Sequence, residues 1–464
     1  MVTRREFLAA GAAVAASTTY DAGAQGPAKT RPNIIFILAD DLGWGDLSCY
    51  GRPDYKTPVL DGLAARGVRL TQAYANSSTC SPTRVALITG RYQNRLPVGL
   101  YDPLPPKAPG LPPEHPTLPG LLKQAGYATA LVGKWHLGWP PVCGPLKSGY
   151  DEFFGLYGGA MTYFTHKSGG PLAPPAQQGL YEGEQPVERE GYATDLFAER
   201  AAEFVRRAHG KPFFLSLHFT APHWPWEGPN DKARAESIRE LGHYEGGSPR
   251  VFREMMLSLD NAVGKVLKEL QASGRTDDTL IVFTSDNGGE RYSYHFPFRG
   301  EKGYLWEGGI RVPAIVVWPG VIPVGRVSRQ LAMSMDWLPT LLTAGGTKPD
   351  SAYLPDGVDL LPVLLGRAKE FGRSVFWRTQ DMGVARSADW KYVRWGEHEY
   401  LHNLAEDETE NANFILKNAI ESQRLRQAYV DWDAQMLPIP AEARRGPYEV
   451  YYNRWRTLQG LTKK

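Results

Sequence analysis

Short apolar runs alternate with amphipathic stretches through most of the chain. Asn33 to Leu38 is β-branched and apolar on both faces, which predicts a central strand of a parallel sheet. Ala128 to Val132, Phe213 to Leu217, Leu280 to Thr284 and Ala314 to Trp318 repeat that pattern. Pro58 to Ala65 predicts a short helix, with proline near its start and Gly67 just past its end. Apolar residues recur at helical spacing across Ala193 to Ala208 and Arg250 to Ser273, and Gly274 stops the second run. The alternation predicts an α/β fold: a large, mostly parallel central sheet flanked by helices. Beyond residue 345 the pattern weakens. Ser374 to Arg378 and Trp390 to Trp395 read as strands of a smaller C-terminal α+β unit with a short antiparallel sheet. The expected domains are therefore 27–345 and 346–464. The proline-rich stretch Pro97 to Pro119 predicts a loop.

Residues 1–26 stand apart from this pattern. Arg4-Arg5 precedes a small apolar run, Ala9 to Ala16, and Ala22-Gly23-Ala24 is an A-x-A cleavage pattern. The run is far shorter than the roughly 20 residues a membrane span needs. This order predicts a twin-arginine export signal, hence the twin-arginine machinery as a partner and a periplasmic or secreted location. No later stretch reaches span length, so stable membrane insertion is not expected.

Composition narrows the function. Lys+Arg number 52 against 50 Asp+Glu, a net charge of +2, which provides no basic field for nucleic acid. The chain of 464 residues carries only three Cys, too few for a disulfide framework or a multi-Cys zinc site. Pairing of Cys49 with Cys143 is left open. The 49 Gly and 37 Pro exceed the usual share and suit shaped loops on a rigid scaffold.

The chemistry collects after the strands. Asp40-Asp41 follows the first, Lys134-Trp135-His136 the next, His218 and Ala221-Pro222-His223 another, and Asp286-Asn287-Gly288 a fourth. In an open parallel sheet these carboxyl ends lie along one edge, where ligands bind. Asp40, Asp41, Asp286 and Asn287 are hard oxygen donors, a set that suits Ca²⁺ or Mg²⁺. Alone, an Asp pair is more often a turn or a helix cap, and Asp-Asn-Gly a tight turn. Together at strand ends of one sheet they point to a metal.

The sharpest local signal is Cys80-Ser81-Pro82-Thr83-Arg84, closed by Thr89-Gly90. Pro82 suits a first helical turn, so Cys80 would sit at a helix N-terminus that favours an anion, with Arg84 one turn on. Such a cysteine is either a low-pKa thiolate nucleophile or a buried structural residue. The thiolate reading sits awkwardly beside three carboxylates.

Here the chain resembles the type I sulfatases, whose hallmark is C-x-P-S/T-R followed by a short helix and L-T-G. Ile88 stands where Leu is usual. The resemblance continues through Asp40-Asp41-Leu42-Gly43, Gly133-Lys134-Trp135-His136, Ala221-Pro222-His223, Ser285-Asp286-Asn287-Gly288 and Gly300-Glu301-Lys302-Gly303, and into 385–413. It implies an alkaline phosphatase-like fold and hydrolysis of sulfate monoesters. It implies that a maturation enzyme oxidises Cys80 to formylglycine. It implies a Ca²⁺ (Mg²⁺ is less favoured) held by Asp40, Asp41, Asp286 and Asn287 beside residue 80. One hydroxyl of the aldehyde hydrate then attacks sulfur, helped by Asp286. His223 or Lys302 protonates the leaving alcohol. The second hydroxyl passes its proton to His136 as sulfate leaves. Arg84, Lys134 and Lys302 supply positive charge, and Lys134, His223 and Lys302 bind substrate.

The implied substrate is a sulfated saccharide or an aryl sulfate. Trp135, Trp139, Trp224 and Trp226 suit sugar or aryl rings and equally suit ordinary packing. His295 and Arg299 are candidate contacts to an anionic saccharide, and Tyr163 and His166 are candidates within 155–170. Two other functions remain open: a phosphate or phosphonate monoester hydrolase on the same scaffold, and a non-catalytic sulfated-glycan-binding protein. Cys80 at the nucleophile position and a ligand set for one hard cation favour the sulfatase.

Overall fold

A computed structural model describes residues 31–444 except 102–103, 105–107, 168–178, 208 and 236–246. The expected export signal lies outside the described residues. The described residues form one compact unit.

The strands of the main sheet are β1 (Asn33–Asp40), β2 (Val68–Tyr74), β3 (Ala128–Lys134), β4 (Glu152–Leu156), β5 (Leu180–Glu182), β6 (Gln185–Val187), β7 (Phe213–Pro222), β8 (Thr279–Ser285), β9 (Arg311–Val317), β10 (Arg326–Ser328) and β11 (Ala332–Met333). Their order is β10-β2-β9-β8-β1-β7-β3-β4-β5-β6, with β11 also on β2. The five central strands β8-β1-β7-β3-β4 are parallel. The sheet is mostly parallel as expected, and β9 is an antiparallel member of it, running against both β8 and β2. The segment between Ser285 and Arg311 returns the chain at the edge it left, so no crossover helix is needed.

Alternation along β1 assigns its side chains to two cores. Ile35, Ile37 and Ala39 join Phe197 of helix Ala193–Arg206 and Met255 and Leu259 of helix Pro249–Ala272. Ile34, Phe36 and Leu38 join Val85 and Ile88 of helix Cys80–Thr89 and Leu341 of helix Trp337–Ala344. Both faces of β1 are thus covered, which is why its sequence is apolar throughout. The long helix starts one residue earlier than predicted, because Ser248 Oγ accepts from Val251 N at 3.2 Å and Pro249 fits the first turn. The proline-rich loop carries a 3₁₀ turn at Pro97–Leu100 and leads into helix Leu118–Gln124, capped by Thr117.

The C-terminal strands β12 (Ser374–Arg378), β13 (Met382–Ser387), β14 (Trp390–Trp395) and β15 (His398–Asn403) form an antiparallel sheet of four. A third core joins Trp377, Val384 and Leu401 of that sheet to Tyr74, Ala86 and Trp306. Among the described residues no helix is long and apolar enough to cross a membrane. All three cysteines are free, so Cys49 and Cys143 do not pair.

Candidate active site

Sheet register brings the chemistry together. Leu38 pairs with both His218 of β7 and Thr284 of β8, and Gly133 of β3 pairs with His218. Asp40, Lys134 and Ser285 therefore end neighbouring strands at one edge. The chain then turns sharply: Asp41 and His136 both adopt left-handed backbone, at φ 62° and 61°. Left-handed backbone is uncommon outside glycine, and here it turns the chain just past the ends of β1 and β3.

Three carboxylates and three cations meet there, all buried. Lys134 Nζ lies 2.6 Å from Asp40 Oδ2, and Lys302 Nζ lies 2.7 Å from Asp41 Oδ2. Arg84 places Nε 2.9 Å and Nη2 2.8 Å from Asp286 Oδ2, while its Nη1 donates to the Lys134 carbonyl at 2.9 Å. Asn287 Nδ2 donates to Asp41 Oδ1 at 2.8 Å. His223 Nε2 stands 3.6 Å from Asp41 Oδ2.

Burial and charge oppose each other at each acid. Burial alone would raise the Asp41 carboxyl, but Lys302, His223 and Lys134 outweigh it and hold the group down to about 2. Burial, with Asp40 beside it, pushes Asp286 up to about 6 despite Arg84. Burial and then Lys302 push His223 down to about 3, and burial and then Lys134 push His136 well below its ordinary value. Burial also drives the Cys80 thiol well above its ordinary range. Cys80 begins helix Cys80–Thr89, yet desolvation defeats the helix dipole, Lys134 and Lys302. Burial thus disfavours the thiolate of an unmodified Cys80.

The residues fit a hard cation. Ligand atoms of Asp40, Asp41, Cys80 and His223 lie within 4.8 Å of one another. Asp40 Oδ1 and Asn287 Oδ1 are buried with no hydrogen-bond partner among the described residues, and buried oxygens of that kind call for an ion or water. Asp286 is held in place beside them, Oδ2 accepting from Arg84 and Oδ1 from Asp41 N at 3.3 Å, and its Oδ1 keeps a lone pair for a cation.

The remaining candidates separate cleanly. Ser81 Oγ lies 3.3 Å from both ring nitrogens of His136. His218 sits behind Arg84, its Nδ1 3.5 Å from Arg84 Nη1, in a small buried space with Phe36, Trp135 and Phe214. Trp135 and Trp226 are core residues, 2% and 3% exposed. Trp139 and Trp224 are half-buried, and Trp224 lies against the His223 ring. Arg299 faces Trp306 and the Glu410 carbonyl, and His166 bonds the Gly191 carbonyl, so neither joins the cluster. Tyr163 acts indirectly: its hydroxyl lies 2.8 Å from the carbonyls of both Thr220 and His223 and steadies the turn that carries His223. Sequence reasoning missed Glu290, a buried carboxyl acting on Lys302 and Asp41. Its signal was an acidic residue directly after Asp286-Asn287-Gly288-Gly289.

Comparison with known proteins agrees with this geometry. The family model described as Sulfatase matches residues 32–347. N-acetylgalactosamine-6-sulfatase of Canis lupus familiaris is 38% identical over 367 residues, covering 74% of this chain and 68% of that one. Arylsulfatase A of Homo sapiens is 36% identical over 388 residues, covering 76% and 72%. The crystal structure of Ps i-CgsB in complex with k-i-k-neocarrahexaose superposes with a TM-score of 0.79 at 27% identity, covering 94% of this chain and 98% of that one. A match of this extent, on a chain whose buried Cys80 sits among Asp40, Asp41 and His223, shows that the chain belongs to the sulfatase family and is a sulfuric ester hydrolase.

Proposed function

We propose that this sulfatase removes sulfate from a sulfated saccharide, with residue 80 working as formylglycine and Ca²⁺ held by Asp40, Asp41, Asp286 and Asn287. The observation that carries the reading is the placement of Cys80, buried with its Sγ within 4.8 Å of the ligand atoms of Asp40, Asp41 and His223. A neutral thiol is a poor nucleophile there, whereas the hydrated aldehyde made from it offers two hydroxyls, one to attack and one to release the product. The Cys80 side chain thus marks where that aldehyde would stand. Bound Ca²⁺ would act as a Lewis acid that polarises an ester oxygen and favours an ionised hydroxyl.

The chain's own residues do the rest. Arg84 is locked by Asp286 and the Lys134 carbonyl, so its guanidinium is a fixed positive wall beside residue 80. Lys134 and Lys302 bring two more buried charges to the sulfate oxygens. His136 is neutral and can accept the proton released as sulfate leaves. The leaving oxygen needs a proton. His223 Nδ1 lies 2.5 Å from the Trp224 carbonyl, which places the ring proton there and leaves Nε2 as a lone pair. Lys302 Nζ, an ammonium beside Asp41, is therefore the better proton donor in the resting site.

The saccharide assignment is supported by the Ps i-CgsB complex with k-i-k-neocarrahexaose and by the N-acetylgalactosamine-6-sulfatase relatives. Arg4-Arg5 and Ala22-Gly23-Ala24 support twin-arginine export of the folded enzyme to a periplasmic or secreted location. The test is parallel hydrolysis of aryl sulfate, aryl phosphate and a panel of sulfated saccharides. The reading expects sulfate release, fastest from a saccharide. Faster phosphate release would overturn it.

A further inference from the structure

The loop that carries Lys302 is fastened at both stems to one residue far along the chain. Glu410 lies beyond β15, fully buried, with left-handed backbone at φ 54°. Its carboxyl Oε2 accepts from Glu307 N at 2.7 Å, on one stem. Its carbonyl accepts from Arg299 Nη1 at 3.1 Å, on the other. The stems also meet each other, since Gly308 N donates to the Arg299 carbonyl at 2.7 Å. A Cβ on Gly308 would meet the Gly300 carbonyl at 2.3 Å, and one on Gly309 would meet the Tyr304 carbonyl at 1.9 Å. The loop 299–309 is thus closed tightly. Lys302 sits within it, its own backbone N donating to the Gly289 carbonyl at 2.9 Å.

Glu410 is itself held in place. Lys391 of β14 puts Nζ 2.7 Å from Glu410 Oε1 and 3.0 Å from Glu307 Oε1, and all three side chains are shut off from solvent. The Arg299 guanidinium lies 4.2 Å from the centre of the Trp306 ring, which packs edge-on against Tyr400 and His402 of β15. A buried carboxyl with an ammonium at one oxygen and a backbone N–H at the other cannot shift without leaving a buried polar group unpaired. The antiparallel sheet is therefore a fixed frame for the loop. From that frame Lys302 Nζ reaches Asp41 at 2.7 Å. The bonds of Glu410 run to the loop stems and to Lys391, so it acts through the loop.

We propose that Glu410 is a positioning residue for Lys302: by clamping Glu307 and Arg299 it sets where the Lys302 ammonium stands relative to the leaving oxygen. This inference rests on the reading of Lys302 as proton donor. A reacting group misplaced by about 1 Å can lose about 10²-fold in rate. The loss falls hardest on a poor leaving group, because a sugar alkoxide needs the proton and 4-nitrophenolate hardly does.

The experiment uses matured, Ca²⁺-loaded enzyme. Wild type, Glu410→Ala, Glu410→Gln, Lys302→Ala and the double variant Glu410→Ala/Lys302→Ala are compared on a sulfated monosaccharide and on 4-nitrophenyl sulfate, with melting temperature as the check on folding. Glu410→Ala leaves Lys391 paired with Glu307. It should lower kcat/KM about tenfold more on the saccharide than on the aryl sulfate. Glu410→Gln keeps an oxygen for the Glu307 N–H and should restore most of that ratio. On the Lys302→Ala background, Glu410→Ala should cost almost nothing further on either substrate. Arg299→Leu cuts the other tether at a half-buried position and should show the same leaving-group pattern whether or not Glu410→Ala folds. Equal losses from Glu410→Ala on both substrates, beside a leaving-group-dependent loss from Lys302→Ala, overturn the inference and leave Lys302 its role. An undiminished loss on the Lys302→Ala background does the same. A Lys302→Ala variant that loses equally on both substrates overturns the donor reading and the inference with it.

Discussion

The Lys134 ammonium lies 2.6 Å from the Asp40 carboxylate, and neither side chain is exposed to solvent. This pair joins the ends of β3 and β1 across the end of β7, and Lys302 with Asp41 repeats the arrangement at 2.7 Å. Each lysine thus has two tasks: it neutralises a carboxylate, and it presents charge to an arriving sulfate.

Breaking one buried pair strands the other charge. Lys134→Met should destabilise the metal-free protein by about 3 kcal/mol or more. Added Ca²⁺ should recover part of that loss, because the cation offers Asp40 a new partner. Urea denaturation of both proteins, with Ca²⁺ and with chelator, measures this. Equal losses in the two conditions would argue against Asp40 as a metal ligand.

Arg84 meets Asp286 through two nitrogens and the Lys134 carbonyl through a third. Lysine cannot reproduce that fork. Arg84→Lys should lower kcat by about 10²- to 10³-fold, with the residual melting transition still cooperative. Steady-state kinetics on an aryl sulfate decides it, and a loss confined to KM would contradict a fixed role beside residue 80.

Much of this site was legible because its residues follow strands, and strands buried on both faces announce themselves by unbroken apolar runs. Asp40, Lys134, His223 and Asp286 were found that way, and Cys80 through the proline and glycine that bracket its helix. Direction was less legible: β9 reads like its parallel neighbours, since burial on two faces gives one pattern for either orientation. Trp135 and Trp226 looked like candidates for a sugar platform because sequence neighbours of site residues are not spatial neighbours. Trp135 directly follows β3 and Trp226 lies beyond the end of β7, yet both rings fill the core. Glu290 escaped because it sits in a loop whose fold depends on distant partners.

Acid should unfold the protein through its buried histidines. His402 is 1% exposed, donates Nδ1–H to the Ala412 carbonyl at 2.7 Å, and is pushed down to about 4 by burial and then Lys391. Its unfolded value is near 6.5, so below that pH the unfolded chain takes up a proton that the native state refuses. The stabilisation is full above pH 6.5 and is lost as pH falls toward 4, by at most about 3 kcal/mol. His402→Gln should flatten the fall in melting temperature across that window, and an unchanged slope would contradict the assignment.

The most direct test is the mass of the peptide that carries Cys80, taken from active protein. Conversion of the thiol to an aldehyde makes that peptide about 18 Da lighter. The account predicts this mass in active preparations, turnover that rises with the converted fraction, and no turnover in Cys80→Ala. Full sulfate-ester hydrolysis by protein whose Cys80 is unmodified would contradict it.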